Sequence, residues 1–128
     1  MRDVAVPLRP DDVVRLLLEA RGAGDVTRVV TLLAPDVELQ PSPGSPTLRG
    51  SHAVRTHLHG ELATGVRVEI EPHRIEVAGE HVHVVGRRRV FERGSLSDSP
   101  AAWTFTVRAG RVVRMEPLAA TAGLRRVA

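Results

Sequence analysis

With 128 residues the chain fits a single domain, and its net charge of +3, from 18 basic and 15 acidic residues, is small for a nucleic-acid-binding protein. The absence of cysteine excludes disulfides, thiolate chemistry and cysteine-ligated metals. No apolar run approaches the roughly 20 residues of a membrane span, and none follows the first charges as in a secretory signal, so we expect a cytoplasmic protein with no membrane contact.

The first part of the chain predicts a helical hairpin that follows a loose arm over residues 1–9. Pro10 suits the first position of a helix, and the two acids after it suit the positive end of the helix dipole. Apolar residues then recur at helical spacing until Gly22, which predicts the stop. Asp25 is a suitable N-cap for a second helix, which we expect to end at Pro35.

A short strand, a proline-rich loop and a third helix are predicted next. The strand runs from Pro35 to Pro41, and the loop leads to Gly50. Ser51 can cap a helix that extends to about Leu62.

Beyond residue 65 the period of the apolar residues changes to two, which predicts a sheet. In the first strand the apolar phase shifts at Pro72, which predicts a bulge or bend. The predicted strands are residues 66–77, 81–93, 102–108 and 111–118, with connections at 79–80, 94–100 and 109–110. Residues 119–128 are interpreted as a tail, so the sequence predicts one domain over 1–128 with a core over about 10–118.

This order of elements resembles the nuclear transport factor two-like superfamily, in particular its SnoaL-like and ketosteroid-isomerase-like members. The segments that carry the resemblance are Gly24-Asp25 and residues 32–37, 48–50 and 105–113. The resemblance implies an α+β cone, in which a curved antiparallel sheet wraps three N-terminal helices and leaves an apolar pocket. Such markers occur in proteins with unrelated activities, so they indicate the fold rather than the function.

The resemblance does not extend to the chemistry of the ketosteroid isomerases. Their pocket holds a carboxylate base, a tyrosine and a protonated aspartic acid. Aligned on the shared segments, these positions fall on Pro41, Leu17 and Trp103, and none of these side chains can transfer a proton or stabilise an enolate. Together with Leu39, the three residues are instead predicted to form an apolar wall, either as plain core or as the lining of a small-molecule site.

His57 is the candidate catalytic residue. If Val54 and Leu58 face inward, the third helix carries His57 toward the rim of the pocket, where it could act as a general base. The alternative is a structurally bonded or partly exposed histidine.

Arg88 is the candidate anchor for an anionic ligand. Val84 and Val90 flank it on its own strand face, which would direct the guanidinium into the pocket and toward a carboxylate or enolate oxygen. The alternative is an arginine that reaches water or pairs with Glu92 or Glu69.

A metal site has weaker support. His81 and His83 have the spacing that lets two imidazoles meet one metal on a strand, but a third ligand would have to come from His73 or Glu71. We therefore expect no metal and no cofactor.

Nucleic-acid binding is the third hypothesis for function. It would rest on Arg87, Arg89, Arg93 and the pair Arg125-Arg126. The small net charge and the scarcity of aromatic residues make this the weakest of the three hypotheses.

The sequence therefore favours a SnoaL-like pocket protein that binds an apolar metabolite with an acidic or carbonyl group, with isomerase, cyclase or hydrolase chemistry at His57 and Arg88. The alternative is a non-catalytic interaction or regulatory module that uses the sheet surface, and whether the protein is an enzyme stays open. Because His83, Val85 and Phe91 lie on the strand face away from the pocket, we expect a homodimer.

Overall fold

The computed structural model describes residues 8–118, which form three helices and six strands. The helices are α1 (Pro10–Ala23), α2 (Val26–Thr31) and α3 (Ser51–Ala63). The strands are β1 (Leu33–Leu39), β2 (Leu48–Arg49), β3 (Val66–Ala78), β4 (His81–Glu92), β5 (Ser95–Arg108) and β6 (Arg111–Leu118). The tail predicted at 119–128 and most of the predicted arm lie outside the described residues. Within 8–118, no helix has both the length and the apolar character needed to cross a bilayer.

The helical hairpin forms as predicted, but α1 ends at a different glycine. Gly24 adopts the left-handed conformation at φ 73°, and the N–H of Asp25 bonds the carbonyl of Ala20 at 3.0 Å. Gly22 lies inside the helix, so the expected stop there is wrong. The left-handed residue that closes a helix is most often glycine, and the second glycine takes that role here.

The start of α2 is as predicted, but the start of β1 and the N-cap of α3 differ from the prediction. Asp25 caps α2 as expected, because its carboxylate accepts a hydrogen bond from the N–H of Arg28 at 3.1 Å. β1 already begins at Leu33, ahead of the predicted boundary at Pro35. At α3 the N-cap residue is Gly50 rather than Ser51, and no side chain caps the helix.

The six strands form one curved sheet in the order β2-β1-β6-β5-β4-β3, which confirms the α+β cone. Strands β3 to β6 are joined by hairpins and pair antiparallel. β1 lies parallel to β6, so the sheet is mixed rather than wholly antiparallel as predicted. The parallel pairing is possible because a long connection separates the two strands in the chain.

The bend predicted at Pro72 is present in β3. Pro72 pairs with Gly86 and Arg74 pairs with Val85, so His73 is an extra residue with no partner in β4. β3 is an edge strand, where proline is tolerated. A bulge of this kind bends its strand and increases the local twist of the sheet.

Residues 95–100 were predicted as a turn-rich connection, and this was wrong. They form the first half of β5 and pair with β4, so the turn is confined to Arg93 and Gly94. Asp98 accepts a hydrogen bond from Nε of Arg87 in the neighbouring strand at 2.6 Å. Cross-strand pairs of this kind support a strand whose own residues are polar.

The core lies between the helices and the concave face of the sheet. α1 contributes Val13, Val14 and Leu17, all nearly inaccessible to solvent. They join Trp103 and Phe105 of β5 in one apolar cluster, which fixes the helices over the sheet.

Candidate functional site

A cavity of about 40 Å³ remains between the helices and the sheet. Its walls are mostly aliphatic and come from α1, α2, α3 and the concave strand faces; they include Leu17, Leu18, Val29, Leu39, Pro41, Val54, Leu58, Val68, Ile70 and Met115. A buried water needs roughly 10–15 Å³, so the cavity can hold a few waters. Ligand pockets usually measure about 300–1,000 Å³, which means that side chains fill most of the cone.

The polar side chains of the cavity lining come from three separate elements. They are Arg21 of α1, His57 of α3 and Arg88 of β4. Local structure explains why each side chain faces the cavity. Arg21 lies one helical turn after Leu17, His57 precedes the buried Leu58, and Arg88 shares a strand face with the buried Val84. The cavity is therefore apolar with a cationic end.

Glu61 lies behind this cationic end and links two of its members. It is one helical turn after His57, and its Oε2 is 3.1 Å from Nε2 of His57. Its Oε1 is 2.8 Å from Nη1 of Arg21. The contact with Arg21 is an ion pair, whereas the contact with His57 is one only when the imidazole is protonated. Within the described part of the chain, neither Nε2 of His57 nor Oε1 of Glu61 makes a hydrogen bond, although both atoms are buried. The cluster is therefore held by electrostatic contacts and not by a hydrogen-bonded network.

Arg88 is partly buried and stands apart from the acids. Burial lowers the pKa of Arg88, the nearby charge of Arg21 lowers it further, and Glu61 acts in the opposite direction. A guanidinium nevertheless stays protonated at any ordinary pH. Within residues 8–118 no carboxylate lies at ion-pair distance from Arg88, whereas Glu69 pairs with Arg67. Arg88 thus presents a positive charge at the edge of an apolar cavity.

Most of the residues predicted for the site meet at this cavity. Leu17, Leu39 and Pro41 lie in its wall, and His57 and Arg88 lie at its polar end. Trp103 does not line it: the indole is 1% exposed and is packed in the core.

Sequence analysis missed Arg21 and Glu61. The spacing of His57 and Glu61, four residues apart in a predicted helix, could have identified the acid as a neighbour of the imidazole. Arg21 follows Leu17 by the same interval in α1, which places the two on one helix face.

The two histidines of β4 singled out in the sequence have partners on the convex face. His81 and His83 share hydrogen bonds of 3.2 and 3.1 Å with Thr106 and Thr104 of β5. In the part of the chain that the structure describes, no group of three potential ligands is arranged for a metal.

Arg87 and Arg89 also lie on the convex face. Both contact Asp98, and Arg89 also contacts Glu71 at 2.7 Å. Their charges are therefore balanced within the sheet.

A family model described as a SnoaL-like domain matches residues 14–115. No protein of curated function matches the sequence. A solved NTF2-like protein of unknown function from Burkholderia pseudomallei is 25% identical with a TM-score of 0.76, and the match covers 91% of this chain and 95% of that one.

Two further solved structures are similar in fold at lower identity. An LEH-like epoxide hydrolase from M. tuberculosis is 21% identical with a TM-score of 0.79, covering 91% of this chain and 90% of that one. TerC, co-crystallised with polyporic acid, is 21% identical with a TM-score of 0.75, covering 91% and 95%. At such identities the likeness concerns the fold and leaves the chemistry of the cavity to be argued from its own residues.

Proposed function

The chain belongs to the SnoaL-like domain family, and from this premise we propose that its cavity binds an apolar metabolite that carries an acidic or carbonyl group. The observation that carries the proposal is Arg88, a permanently charged and partly buried guanidinium at the edge of an aliphatic cavity. A buried charge without a counter-ion is costly, and an acidic ligand would supply the counter-ion.

Each part of the ligand has a matching part of the site. The apolar body packs against Leu17, Leu39 and Pro41. The acidic or carbonyl oxygen accepts hydrogen bonds from Arg88, and we assign to His57 the exchange of a proton with the same end of the ligand, because both side chains line the cavity. This arrangement suits isomerase, cyclase or hydrolase chemistry that develops negative charge on an oxygen.

Ketosteroid isomerase chemistry is not part of the proposal. Leu17 and Pro41 are aliphatic lining residues, and Trp103 is buried in the core. The proton donor and the base of that reaction have no counterpart at these positions.

Binding requires the cavity to widen, because about 40 Å³ does not accommodate a metabolite. Met115 lies in the wall and has an unbranched, flexible side chain that can repack around a ligand. Arg88 and His57 are partly exposed, so the polar end is the side from which a ligand enters.

The test compares an acid with its neutral analogue. Phenylacetate and phenylacetamide share an apolar body and differ in charge, and binding of both is measured by calorimetry. Arg88→Met removes the charge and keeps much of the side-chain length, so we expect phenylacetate to bind about ten- to a hundredfold more weakly and phenylacetamide to change little. Arg89→Met, on the convex face, is the matched control and should leave both affinities unchanged. Equal effects of Arg88→Met on the acid and on the amide would contradict the proposal.

The small volume of the cavity favours a second candidate function, a non-catalytic interaction module that uses the convex face of the sheet. Val85 and Leu96 on that face are 51% and 57% exposed. Failure of the wild-type protein to bind any apolar acid or ketone would favour this alternative.

A further inference from the structure

The charged groups at the polar end of the cavity come from three elements. Arg21 projects from α1, His57 and Glu61 from α3, and Arg88 from β4. All of them are partly buried, so solvent and salt screen their mutual interactions less than on an open surface.

Glu61 is the acid at ion-pair distance from this group within the described residues. It contacts Arg21 at 2.8 Å and His57 at 3.1 Å, and its charge also acts on Arg88 from beyond contact distance. Glu61 therefore offsets the positive charge of Arg21, whereas the positive charge of Arg88 has no acid at ion-pair distance within residues 8–118. With a neutral imidazole, the polar end carries one net positive charge.

We infer that Glu61 is a specificity-determining residue that restricts this cavity to ligands with one anionic group. The inference rests on the proposed function and adds the charge of the ligand. A single carboxylate or enolate neutralises Arg88, whereas a second anionic group on the same carbon meets the field of Glu61 and has no free cation to bind. Glu61 is absent from the cavity lining, so it acts through its charge and through Arg21 and not by touching the ligand.

The experiment uses two acids that differ in one charge. Phenylacetate and phenylmalonate have the same aromatic body, and the second carries an additional carboxylate on the same carbon. Affinities are measured by calorimetry in the same mildly alkaline buffer for all variants. The wild-type protein should prefer phenylacetate. Glu61→Gln keeps the shape of the side chain, frees the charge of Arg21, and should improve the affinity for phenylmalonate about tenfold relative to phenylacetate.

A double variant separates charge from structural disturbance. The double variant Arg21→Gln, Glu61→Gln removes one positive and one negative charge, so its net charge equals that of the wild type and it should again prefer phenylacetate. If Glu61→Gln acted by disturbing the structure, the second substitution would increase the disturbance and would not restore this preference. Glu19→Gln, which makes the same charge change at an exposed position of α1, is the control and should behave as the wild type.

The outcomes distinguish this inference from the proposed function. An unchanged ratio of the two affinities in Glu61→Gln overturns the inference, even if Arg88→Met shows that Arg88 anchors the acid. A changed ratio in Glu61→Gln with no effect of Arg88→Met supports the role of Glu61 and overturns the anchor. If neither acid binds to any variant, the inference is overturned together with the acid-binding form of the proposed function.

Discussion

Three consecutive arginines in β4 have different environments because strand residues alternate between the two faces of the sheet. Arg88 turns toward the helices and lines the cavity. Arg87 and Arg89 turn outward and contact Asp98 of β5 at 2.6 and 3.4 Å. The hydrogen bond from Arg87 contributes most to holding the pKa of Asp98 below its ordinary value, and Arg89 contributes further. A run of like charge in the sequence is thus divided between the cavity and a structural ion pair.

The lowered pKa of Asp98 gives a pH-dependent prediction. A carboxylate whose pKa is lower in the folded than in the unfolded protein stabilises the fold at pH values above its unfolded-state pKa, about 3.9. This stabilisation is lost as the pH falls through the pKa of the folded state. Asp98→Asn should therefore lower the melting temperature at neutral pH, and the difference from the wild type should close below about pH 3.9. The effect is small because the pair is exposed.

Asp36→Asn is the control for this measurement, since Asp36 is exposed and contacts no cation at ion-pair distance within residues 8–118. Its melting temperature should follow that of the wild type across the pH range. A difference between Asp98→Asn and the wild type that stays constant from neutral to acid pH would show that the ion pair is not its cause.

The bulge in β3 depends on a glycine in β4. A Cβ built on Gly86 would lie 1.9 Å from the carbonyl oxygen of Glu71, which belongs to the strand segment that bends at Pro72. Such a distance is far below van der Waals contact, so any larger residue must displace the backbone of β3. The close approach of the two strands therefore requires glycine at this position.

Gly86→Ala should destabilise the fold by roughly 1–3 kcal/mol, the usual cost of overpacking, because the added methyl group meets backbone and not a flexible side chain. Gly60→Ala provides the opposite control. Gly60 lies inside α3 with open space around its Cα, so alanine there should stabilise the fold by about 0.5–1 kcal/mol. Urea denaturation measures both, and an unchanged midpoint for Gly86→Ala would show that β3 and β4 can separate at little cost.

The order of the elements could be predicted from the sequence because each helix and strand carries its own apolar period. The boundaries depended on information that is not local. Nothing in residues 22–24 says which glycine turns left-handed, and residues 95–100 become a strand only because β4 offers partners for their polar side chains.

The same division between local and distant information applies to the site. The parity of Arg88 and the helix face of His57 follow from sequence spacing, and both lie at the cavity. Trp103 also lies on the inward face of its strand, but whether an inward residue lines a cavity or fills the core depends on the volumes of its neighbours from other elements.

The helices cover the concave face of the sheet, and within residues 8–118 the convex face is left uncovered. Register places side chains from neighbouring strands next to each other on this convex face. Val85, Ala102 and Leu118 form one apolar row, and Phe91 and Leu96 form another. Between the rows lie the ion pairs of Asp98 with the arginines of β4. Exposed apolar surface of this kind indicates a face that is covered by a partner.

We therefore predict a homodimer that buries the convex face against a second copy of the chain. The apolar rows are exposed enough to favour cover by a partner, since Val85 and Leu118 are each 51% exposed. Light scattering at tens of micromolar protein should give twice the chain mass of 13.9 kDa. Val85→Arg places a charge in one of the apolar rows and should give a folded monomer, whereas Leu8→Arg, at an exposed position before α1, should leave the dimer intact. A monomer mass for the wild-type protein would show that the convex face is a free surface. The interaction-module alternative would then lose its main support.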